Sequence, residues 1–151
     1  MPSEKSRYRN RGPSAPVGMN QLRNHLNLFT QEHLIEIVWL SAQSNSTLWK
    51  SLSAHIGILL ANGDWEKTVA AVDFALYLPD VVRYTEHGHG IIIFEMINAL
   101  EILYEKGNKE FALRTGEYIL ESGQAVHEYF EDDWEWSCAL EDMKKWICNK
   151  K

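Results

Sequence analysis

Apolar positions along most of this chain recur every three or four residues, the spacing of one face of an α-helix. The first clear segment opens at Thr30, whose hydroxyl can accept from the amides of the first turn. Glu32 and His33 follow it, with Leu34, Ile37, Val38 and Ser41 on one face. A second helix starts at Asn45 or Ser46 and is expected to turn Leu48, Leu52, His55, Ile56, Leu59 and Leu60 inward. Asn62-Gly63 ends it, because glycine takes the left-handed conformation at a helix C-terminus at little cost. Asp64 caps a third helix carrying Trp65, Val69, Val72, Leu76 and Tyr77, and Pro79 closes it. A fourth is predicted from Ile91 to Lys106, ending at Gly107, and a fifth from Lys109 to Glu121, ending at Gly123. The last runs from about Asp132 through Trp136, Leu140, Met143 and Ile147. Strand signals are nearly absent. The one candidate run, Ile91 to Phe94, continues into a helical pattern.

This order predicts an all-α fold of antiparallel helical hairpins, packed as a short array or a compact bundle. The segment GDWEKTVAAVDFALYLPD (residues 63–80) resembles the second half of a tetratricopeptide repeat. Gly63 takes the turn position, Trp65 the aromatic two residues later, Ala75-Leu76 the small-large pair and Pro79 the closing proline. A second turn at Gly107, with Ala112 five residues on, repeats the pattern over residues 46–123 at most. Thr68 stands where the repeat has Ala, His55-Ile56 where it has Leu-Gly, and the proline comes one residue early. The resemblance implies a scaffold of stacked hairpins that recognises a protein or peptide.

Charge separates the N-terminus from the rest. Residues 1–18 hold Lys5, Arg7, Arg9 and Arg11 against Glu4, a net +3, which leaves −9 for the remainder of a chain at −6. Rich in Ser, Pro, Gly and Arg with little to bury, residues 1–18 are expected to be a disordered basic tail. Residues 19–151 are expected to form a single all-helical domain. The tail can be a solubilising extension, or Arg7, Arg9 and Arg11 can contact nucleic-acid phosphates around Tyr8. The acidic body repels phosphate, so nucleic acid would be held by the tail alone. No apolar run approaches the roughly 18–20 residues that span a bilayer, and no hydrophobic segment follows the basic N-terminus as in a secretory signal. Two cysteines, Cys138 and Cys148, are too few for a disulfide framework. A cytoplasmic protein with reduced thiols, no cofactor and no membrane association is the expectation.

Two clusters could carry function. The loop before the fourth helix holds Glu86, His87 and His89, and two imidazoles with a carboxylate are a ligand set for a divalent metal. The same residues also suit a polar connector or a functional surface loop. The second cluster is acidic and aromatic: Glu128, Glu131, Asp132, Asp133 and Glu135 beside Trp134, within a stretch from Glu128 to Asp142 that has seven acids and no base. It could dock a basic partner, charge steering the encounter and aromatics anchoring it. The alternative is acidic residues complementing a helix dipole while Trp134 or Trp136 packs inward. His33 and His55 lie near apolar faces and are expected in the core. Asp73 is expected to face solvent or pair with Lys67 or another neighbour. No phosphate loop, nucleophile elbow or Cys–His signature is present. The sequence therefore favours a non-catalytic protein–protein interaction module, an adaptor, regulatory subunit or inhibitor. A metal-binding enzyme or sensor built on the 80–95 loop is the alternative, and homo-oligomers are compatible with either.

Overall fold

The computed structural model describes residues 13–77, 89–127 and 134–151, with the side chain of residue 127 left aside. The expected tail, residues 1–18, lies mostly outside the described residues. The chain divides into two compact units, Met1–Trp39 and Leu40–Lys151.

The N-terminal unit contains a single turn of helix, α1 (Met19–Leu22), a 3₁₀ segment over Arg23–Leu28, and most of α2 (Gln31–Ser44). Thr30 caps α2 as expected, its Oγ1 accepting the His33 amide at 3.1 Å. His33 is exposed and stands edge-on against the Phe29 ring, so it is not the core residue the apolar pattern suggested. None of these three elements contains a buried residue.

The second unit holds five helices: α3 (Ser46–Ala61), α4 (Trp65–Leu76), α5 (Gly90–Glu105), α6 (Lys109–His127) and α7 (Trp134–Lys150). The fold is all-α, with no strand among the described residues. The apolar run from Ile91 to Phe94 lies in α5. Local chemistry sets the ends. Asn45 Oδ1 accepts the Leu48 amide and Asp64 Oδ1 accepts the Lys67 amide, each supplying a partner to a first-turn donor. The turns after α3 and α5 use Gly63 at φ 94° and Gly107 at φ 101°, where a side chain would be strained.

Packing places α3, α5 and α7 side by side, α3 against α5 and α5 against α7. On the other side α4 packs against α3, α6 packs against α5 and α7, and α4 meets α6. Two layers of helices result. α5 is central and contributes Ile92, Ile93, Met96, Leu100 and Leu103 to the core, joined by Ile58, Val72, Ile119, Trp136 and Met143.

Two expectations about the helices need correction. In α3 the buried face is Ser51, Ala54, Ile58 and Ala61, while Ile56 and Leu60 are exposed. Small residues win that face because two helices crowd it. A Cβ at Gly57 would sit 2.9 Å from the Ala71 Cβ of α4. Gly123 does not end a helix, since α6 continues to His127. Its missing side chain makes room for α7: a Cβ there would lie 2.7 Å from Leu140 Cδ2, and its carbonyl accepts the Trp136 indole N–H at 3.0 Å.

Candidate interaction surface

The residues singled out for chemistry divide between those built into the packing and those outside the described residues. His89 immediately precedes α5 and is buried, with Nδ1 3.4 Å from Thr47 Oγ1. That nitrogen faces a hydroxyl of α3. Glu86 and His87 lie outside the described residues, as do Glu128, Glu131, Asp132 and Asp133. Among the described residues no three His, Cys, Asp or Glu side chains group so as to hold a metal.

The two candidate clusters meet at their described ends. A Cβ on Gly90 would lie 2.7 Å from the Glu135 carbonyl, so α5 begins directly against the first turn of α7. There Trp136 is fully buried, whereas Trp134 is 77% exposed and Glu135 is also exposed. One tryptophan is core and its neighbour two residues earlier faces water, the outcome expected of a helical period.

Polar side chains in the second unit mostly fasten helices together. His55, half-buried on α3, places Nδ1 3.2 Å from both the backbone oxygen and a carboxylate oxygen of Glu95 on α5. Tyr118 donates to Asp73 Oδ1 at 2.5 Å, joining α6 to α4, so Asp73 is exposed and paired with a neighbour, here a phenol of another helix. That hydrogen bond, with burial, raises the Tyr118 pKa. Trp65 stands edge-on to Phe111 and Tyr118 and carries the Arg114 guanidinium 3.8 Å above its ring. Glu101 accepts from the Trp146 indole at 2.7 Å and the Lys150 ammonium at 2.9 Å, and these bonds hold its carboxyl below its ordinary range. Lys50 donates to the carbonyls of Phe74 and Tyr77 at 2.9 Å, occupying oxygens left over at the end of α4. Partial burial lowers its pKa. Both cysteines are on α7 and unpaired.

The surface that departs furthest from ordinary packing was missed in reading the sequence. In the N-terminal unit Leu28 is 82% exposed, Ile35 59% and Trp39 57%, and Phe29, Ile37 and Val38 are exposed as well. The signal was present. Residues 34, 35, 37, 38, 39 and 40 are all apolar and spread around α2 well beyond one stripe, leaving the side of Glu32, Glu36 and Gln43 polar. An apolar arc wider than the stripe of an ordinary surface helix is one that something covers.

Comparison with protein-family models, curated proteins and solved structures finds no match to this chain. No described helix is long and apolar enough to cross a membrane.

Proposed function

We propose that this chain is a non-catalytic helical protein–protein interaction module, acting as an adaptor, regulatory subunit or inhibitor. The observation that carries the reading is the N-terminal unit, whose large apolar side chains at Leu28, Phe29, Ile35, Ile37, Val38 and Trp39 face water. Large apolar side chains exposed in such number mark a contact site. The second unit supports the reading in another way. Its layers, α3, α5 and α7 on one side and α4 and α6 on the other, suit the stacked hairpins of tetratricopeptide-like scaffolds. Its polar side chains are occupied in fastening helices, an arrangement that serves rigidity.

A narrower version adds a basic partner at the first turn of α7, favoured by the exposure of Trp134 beside Glu135. The general reading is tested by affinity capture from the native source, comparing wild type with the Ile37→Asp/Trp39→Asp variant. Loss of the captured chain from a variant with an unchanged circular dichroism spectrum is expected. Equal capture by both proteins would contradict the assignment. For the narrower version, Glu135→Lys should weaken capture only when the partner is basic.

A further inference from the structure

We draw no further inference here: the strongest candidate, the exposed apolar face of residues 19–39 in the N-terminal unit, carries nothing because nothing in the structure shows what covers it.

Discussion

Glu101 shows how single side chains hold α5 and α7 in register. Its carboxylate accepts the Trp146 indole and the Lys150 ammonium, and chiefly the first of these keeps its pKa below the ordinary 4.5. A depressed folded-state pKa gives a contribution that is complete above the unfolded value and is lost as pH falls through the folded one. Glu101→Gln should therefore lower the melting temperature at neutral pH and flatten its decline below pH 4.5, measured by thermal scans across acid pH. Equal slopes for the two proteins would contradict this. Tyr118 has the opposite sign. Its raised pKa, caused first by the hydrogen bond to Asp73, supplies stability below pH 10 that is lost as the phenol ionises in the fold. Asp73→Asn should move tyrosinate formation to lower pH in an ultraviolet titration. Neither pairing was legible in the sequence, because each joins residues about 45 positions apart that only tertiary packing brings together. The pair Trp134 and Trp136 was legible only as an alternative. Trp136→Ala should cost about 3–5 kcal/mol in urea unfolding, and Trp134→Ala under about 0.5 kcal/mol.

At the scale of elements, what could be read from the chain was whatever local chemistry decides. Thr30, Asn45 and Asp64 cap helices because a short oxygen-bearing side chain reaches a first-turn amide. Gly63 and Gly107 end helices because their backbone takes positive φ. Gly123 has the same identity and another use, to admit Leu140 and the Trp136 indole, and nothing in its immediate sequence distinguishes the two. The buried face of α3 was misjudged for a related reason. Hydrophobicity favours Ile56 and Leu60, while close approach of α4 and α5 selects Ser51, Ala54 and Ala61. The two kinds of glycine should respond differently to substitution. Gly63→Ala is expected to cost about 1 kcal/mol through backbone strain, and Gly123→Val about 3 kcal/mol through overpacking. Denaturant unfolding of both variants checks the order, and a larger loss at Gly63 would contradict it.

Across the whole molecule stability is distributed unevenly. The Leu40–Lys151 unit has its core built around α5, while the described part of the Met1–Trp39 unit buries no residue. Local opening energies follow burial, so amides of α5 should exchange only through global unfolding. Those of residues 19–39 should exchange through far smaller openings unless a partner covers them. The candidate surface was thus half legible: the wide apolar arc of α2 was written in residues 34–40, yet assigning one face inward hid that the arc extends beyond that face. Hydrogen exchange of the full chain measures this most directly. The account predicts that protection of residues 19–39 stays far below that of α5. Protection of residues 19–39 equal to that of α5 would contradict it.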